Sequence, residues 1–145
     1  MTAYTHMLVA VDFSGSTDSV VSKAKTLTGV FDARLSLVHV VEFAQVDLSN
    51  ELVIPQELEL DQELETLAQS RLQTLAEKHG LGANTCLVRH GSTRREILAL
   101  AEEMDVDLIV IGSHGRQGIQ LLLGSTANAV LHGAPCDVLA VRISD

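Results

Sequence analysis

Two short clusters carry the clearest chemistry in the chain. Gly112-Ser113-His114-Gly115 is followed, after the eight residues Arg116 to Leu123, by Gly124-Ser125-Thr126. Glycines let a backbone approach a ligand closely, and a helix beginning at Ser125 would offer unpaired N–H groups to an anion. The pattern predicts a phosphate-binding loop. Gly112 and Gly115 can wrap an oxygen-bearing group with N–H donors, while Gly124, Ser125 and Thr126 present a helix amino terminus and two hydroxyls. A tight connection would explain a lone pair of glycines, but this stretch also contains Gly118 and the capping hydroxyls. The cluster lacks Gly-Lys-Ser/Thr, and no lysine follows Lys78, so it is not a Walker A loop. Arg116, the only cation in it, either reaches a terminal phosphate or is a solvated loop residue.

A second polar cluster, Asp12 with Ser14-Gly15-Ser16, follows the apolar run Met7 to Val11. An acidic residue at the end of a first strand can accept hydrogen bonds from ribose hydroxyls, and it can equally cap the helix that follows. Val40 ends another apolar run, where a backbone N–H and C=O can pair with an adenine edge; the residues alone do not select that role. His39 lies in an apolar strand and reads as a core histidine satisfied by hydrogen bonding. The six histidines show no metal-ligand spacing, so no metal site is assigned.

Alternating strands and helices must position these clusters. The strands are Met7 to Val11, Leu35 to Val41, Thr85 to Arg89, Asp107 to Ile111 and Asp137 to Ile143. Val20, Val21, Ala24, Leu27 and Phe31 form an apolar stripe on a helix from about Ser16 to Val30. A long helix opens at Pro55 and closes at His79-Gly80, with Leu60, Leu64, Leu67, Arg71 and Leu75 sharing one face. Thr93 and Glu96 have capping-box spacing before a third helix ending near Met104, and Ser125 to Leu131 forms a fourth. Glu42 to Pro55 has no clear period and reads as a long loop. The alternation predicts one α/β domain over residues 1–145, with a parallel sheet and helices on both faces. In such sheets ligands bind beyond the carboxyl ends of the strands, where strand order reverses.

Composition narrows the function classes. A net charge of −9 with only ten Lys and Arg, none in a long run, argues against a nucleic-acid backbone as partner. It also requires any nucleotide to be held by local backbone dipoles against an unfavourable overall field. Apolar runs are far shorter than the ~20 residues of a membrane span, so no membrane insertion is expected. Two isolated cysteines, Cys86 and Cys136, suggest reduced core thiols and a cytoplasmic setting.

Taken in order, Met-Leu-Val-Ala-Val-Asp-Phe-Ser, Leu-Val-His-Val, Val-Asp-Leu-Ile-Val-Ile-Gly-Ser-His-Gly, Leu-Leu-Gly-Ser and Pro-Cys-Asp-Val-Leu-Ala-Val-Arg resemble the universal stress protein family over essentially the whole chain. The resemblance implies a Rossmann-like, adenine nucleotide α-hydrolase-like sheet of five parallel strands in the order 3-2-1-4-5. In one subclass it also implies ATP between strands one and four. Carried over by motif, Asp12 and Gly112 meet the ribose, Val40 the adenine, and Gly115, Gly124, Ser125 and Thr126 the phosphates, with Mg²⁺ held through those phosphates. The family further implies a homodimer through the last strand, Val138 to Ile143, and a regulated partner protein such as a transporter.

One departure bears on function. Gly115 and Gly124 enclose eight residues, one fewer than is typical of ATP-binding members, and the subclass without the glycines has a similarly short loop. Gly118 can absorb the missing residue. Three functions remain: a regulatory protein binding ATP, ADP or AMP; a nucleotide-free dimer acting through protein contacts; and, least favoured, a slow ATPase with His114 as base. No catalytic residue is assigned.

Overall fold

The computed structural model describes residues 4–42, 55–113 and 125–142. Five strands, β1 (His6–Ala10), β2 (Arg34–Val41), β3 (Cys86–His90), β4 (Leu108–Gly112) and β5 (Asp137–Val141), alternate with four helices. The helices are α1 (Thr17–Phe31), α2 (Pro55–Lys78), α3 (Thr93–Glu103) and α4 (Ser125–Gly133). The strands form one sheet in the order β3-β2-β1-β4-β5. Every pairing is parallel, with Val9 opposite Leu37 on β2 and Val110 on β4. The chain therefore builds outward from β1 to β3, then returns to place β4 on the other side of β1. Strand order reverses between β1 and β4.

Helices on both faces explain the nearly unbroken apolar runs of the strands. On one face Met7, Val9 and Leu37, with Val110, meet Val20, Val21 and Ala24 of α1 and Leu72 and Ala76 of α2. Even positions Leu8, Val38 and Val40, with Ile109 and Ile111, meet Ile97 and Leu100 of α3 and Ala127 and Val130 of α4. The buried His6 is satisfied by hydrogen bonding. Met104 O, 3.2 Å from Nδ1, can only accept, so Nδ1–H donates to it, and Nε2 is hydrogen-bonded to Ser36 Oγ at 2.8 Å.

Several sequence expectations need correction. The stripe proposed for α2 is rotated in part: Leu75 packs against the core as expected, beside buried Ala68, Leu72 and Ala76, whereas Leu64 and Leu67 are 39% and 54% exposed. Small alanines on either side of Leu72 let the helix lie close to the sheet, which outweighs the larger leucines one step around. Arg71 leaves that stripe and covers the ring of Phe13, 4.2 Å from its centroid. The capping box at Thr93 does not form. Ser92 is the N-cap residue, and the Thr93 hydroxyl donates to Glu42 Oε1 at 2.6 Å.

Asp107 lies outside the fourth strand and ties its start to β1. It accepts from Thr5 N–H at 2.8 Å, Thr5 Oγ1 at 2.9 Å and His6 N–H at 3.1 Å. Desolvation, the largest single influence, would raise its pKa, but these donors together hold the carboxyl below its usual value. Cys86 is buried and Cys136 half-buried, both free, and burial raises both thiols. The predicted loop residues 43–54 lie outside the described residues. Strand β5 ends at Val141, short of the predicted Ile143, which also lies outside them.

Candidate functional site at the β1–β4 switch point

The central strand is the short one at its carboxyl end. Its last paired residues are Ala10 opposite Val38 and Val9 opposite Val110, after which β2 continues to Val41 and β4 to Gly112. At 3.3 Å per residue the flanking strands rise roughly 7–10 Å beyond those last pairs. The result is a notch above β1.

The backbone groups lining this notch follow from strand geometry, because residues two apart point their N–H and C=O the same way. Val38 O accepts from Val11 N–H at 2.8 Å, so Val38 faces β1 and Val40 does too. On the alternate phase, Val41 O faces β3, where it accepts from Gly91 N–H at 3.0 Å. On the other wall Ser113 N–H donates to Val141 O at 2.9 Å, turning Ser113 toward β5 and Gly112 toward β1. Val40 and Gly112 thus aim backbone donors and acceptors into the notch from opposite sides. The Val40 side chain is buried with Ile111 and Ile97 against α3.

Asp12 lies at the foot of the notch, half-buried. Its Oδ1 accepts from Ser14 N–H at 3.0 Å and Thr17 Oγ1 at 3.3 Å, which closes the turn into α1 and sets a negative charge at that helix's amino terminus. The capping alternative for Asp12 is therefore real. A carboxylate has about four acceptor positions, so capping does not by itself exclude a second role. Ser16 is the N-cap residue by position but makes no side-chain cap, and its hydroxyl pairs instead with Ser14 Oγ at 2.9 Å.

Ser125 and Thr126 open α4, with Ser125 exposed and Thr126 half-buried. Gly115, Arg116 and Gly124, together with His114 and Gly118, lie outside the described residues. His39 is a satisfied histidine, as its sequence context suggests: its Nδ1–H donates to Val11 O at 2.7 Å. The imidazole also stacks on Phe13, with centroids 4.4 Å apart. Phe13 and Arg71 were not singled out as site residues in the sequence. The available signals were an aromatic inside a polar Asp-x-Ser-Gly turn, in a chain with 3% aromatics, and one cation in an otherwise apolar stripe. Among the described residues, no group of three His, Cys, Asp or Glu side chains could hold a metal ion.

A doubly wound parallel sheet with a polar crevice at its switch point defines a Rossmann-like α/β protein. The universal stress protein family model matches residues 3–142, and the chain belongs to that family. A Coxiella burnetii relative, universal stress protein A homolog 2, is 42% identical over 144 residues, covering 99% of this chain and 98% of its own. The solved universal stress protein UspA from Lactobacillus plantarum superposes with a TM-score of 0.75 at 25% identity, covering 98% of this chain and all of its own. A universal stress protein solved in complex with cAMP shares the fold, with a TM-score of 0.69 at 22% identity over 99% of this chain and 100% of its own. No helix among the described residues is long and apolar enough to cross a membrane.

Proposed function

We propose that this chain binds an adenine nucleotide, ATP or its products ADP and AMP, in the notch above β1. Occupancy would regulate its contacts with a stress-response partner such as a transporter. The observation that carries this reading is the convergence of Val40 and Gly112 backbone groups over Asp12. One wall supplies paired donor and acceptor for an adenine edge, and the floor supplies a carboxylate for ribose. Gly115, Gly124, Ser125, Thr126 and Arg116 are the proposed phosphate contacts, with Mg²⁺ held through the phosphates. That a protein of the same fold has been solved with cAMP is consistent with an adenine nucleotide.

The chain is also proposed to act as a homodimer through β5. This strand pairs only with β4 among the described residues, and its exposed Ala140 lies between half-buried Leu139 and buried Val141. Such an edge invites pairing with a second copy.

Isothermal titration with ATP, ADP and AMP in the presence of Mg²⁺ tests the nucleotide reading. Saturable binding below millimolar concentration is expected, and it should be lost in Gly124→Val, whose side chain would block backbone approach. Absence of binding by all three nucleotides would refute it. The eight-residue spacing from Gly115 to Gly124 favours a second reading, a nucleotide-free dimer acting through protein contacts. Native mass spectrometry separates the two by reporting bound nucleotide and oligomeric state together.

A further inference from the structure

Phe13 adopts φ +58°, a left-handed conformation uncommon for any residue but glycine and a genuine outlier for a bulky one. Such strain costs on the order of 1–3 kcal/mol and persists only where its surroundings hold it. A glycine would make the same turn without that cost. The ring, however, sits between the His39 imidazole, 4.4 Å away, and the Arg71 guanidinium, 4.2 Å from its centroid. His39 also holds the carbonyl of Val11 through its Nδ1–H at 2.7 Å. One imidazole therefore fixes the residues on both sides of Asp12, while Ser14 N–H and the Thr17 hydroxyl fix its carboxylate.

We propose that Phe13, clamped between His39 and Arg71, is a positioning residue that holds the Asp12 carboxylate in place for the ribose hydroxyls of the bound nucleotide, an inference that rests on the nucleotide reading above. The stack lies on the α1/α2 face of the sheet and packs against the turn that carries Asp12. Its effect must pass through Asp12, and it should change recognition of the sugar hydroxyls more than that of base or phosphates.

The test is a cycle between protein and ligand changes. Binding of ATP and of 2′,3′-dideoxy-ATP is measured by titration calorimetry for the wild-type chain and for Phe13→Gly, Phe13→Tyr and Arg71→Gln. Hydrogen bonds to a charged acceptor predict that the wild-type chain prefers ATP by about tenfold or more. In Phe13→Gly the preference should fall to about twofold or less, with dideoxy-ATP affinity nearly unchanged, whereas Phe13→Tyr should retain it because a second ring keeps the stack. Arg71 is exposed, so Arg71→Gln spares the core and removes only one side of the clamp on Phe13; it decides the matter if Phe13→Gly does not fold, and its preference should drop by at least about twofold. Full sugar preference in a folded Phe13→Gly, or in Arg71→Gln when Phe13→Gly is unfolded, overturns the inference. Wild-type binding of ATP without sugar preference also overturns it while sparing the nucleotide reading. No binding of either ligand by the wild-type chain removes both.

Discussion

Substitution of Asp12 separates two tasks of one carboxylate. Within the protein, Oδ1 closes the turn into α1 through Ser14 N–H at 3.0 Å and Thr17 Oγ1 at 3.3 Å. At this half-buried position each bond contributes about 1 kcal/mol, and the charge at the helix amino terminus about 0.3–1 more, so Asp12→Ala should lower stability by about 2–3 kcal/mol. Asp12→Asn keeps an acceptor oxygen and should lose about 1 kcal/mol or less. Toward a nucleotide the order of severity is compressed, because the amide nitrogen that replaces Oδ2 donates and cannot accept. A ribose hydroxyl bonded to a carboxylate is worth about 1.5–3 kcal/mol, so Asp12→Ala should weaken ATP by roughly 10- to 150-fold. Asp12→Asn should weaken it by about tenfold. Urea unfolding gives the first quantity, and calorimetric titration of the folded variants gives the second. If Asp12→Ala loses the predicted stability yet binds ATP within about twofold of the wild-type chain, the carboxylate is a turn cap alone and its assignment to ribose is wrong.

Other substitutions probe the framework around the site. Leu72→Ala, at a fully buried position, should cost about 2–5 kcal/mol in urea unfolding, while Leu67→Ala at an exposed one should stay within about 0.5 kcal/mol; equal losses would contradict the observed face of α2. Asp107 has its carboxyl pKa held below the usual value, so its stabilising contribution is complete above its unfolded pKa near 3.9 and is lost as pH falls through the lower folded value. Asp107→Asn should therefore be less stable than the wild-type chain by about 1 kcal/mol at pH 7, and the gap should close in acid; a gap that widens there would refute the sign. Because Val141 O faces β4, Ala140 points its N–H away from that strand. Ala140→Pro should consequently leave the sheet's circular dichroism unchanged while light scattering shows a monomer, and a persistent dimer would exclude pairing through this edge.

The sheet was legible because buried parallel strands write continuous apolar runs, and each was located within one or two residues. The helices were less so. On α2 a leucine period looked decisive, yet the sheet accepts the side with two alanines because close approach depends on side-chain size as well as apolarity. At Thr93 the local spacing suited a capping box, but Glu42, 51 residues earlier in the chain, competes for the hydroxyl. Asp12, Val40 and Gly112 could be placed at strand ends from sequence. What the sequence could not show was that β1 stops short between its neighbours, since register belongs to pairs of strands. Phe13 was hidden for a related reason: its partners His39 and Arg71 come from different elements, and only the fold brings them together.

The placement of β4 beside β1 has a consequence for how the chain acquires its shape during synthesis. Strands β1, β2 and β3 are complete by residue 90, but Gly112, the far wall of the crevice, is contributed only when β4 closes onto β1. The contact at the near end of that pairing, His6 to Asp107, spans 101 residues. Bringing such distant ends together costs about 4 kcal/mol of chain entropy beyond a constant term, recovered only once β4 is paired. A nascent chain carrying the first three strands therefore has Asp12 and Val40 but nothing opposite them. The crevice is a seam between early and late segments, and a ligand that bridged it would bind the finished fold in preference to every partial one.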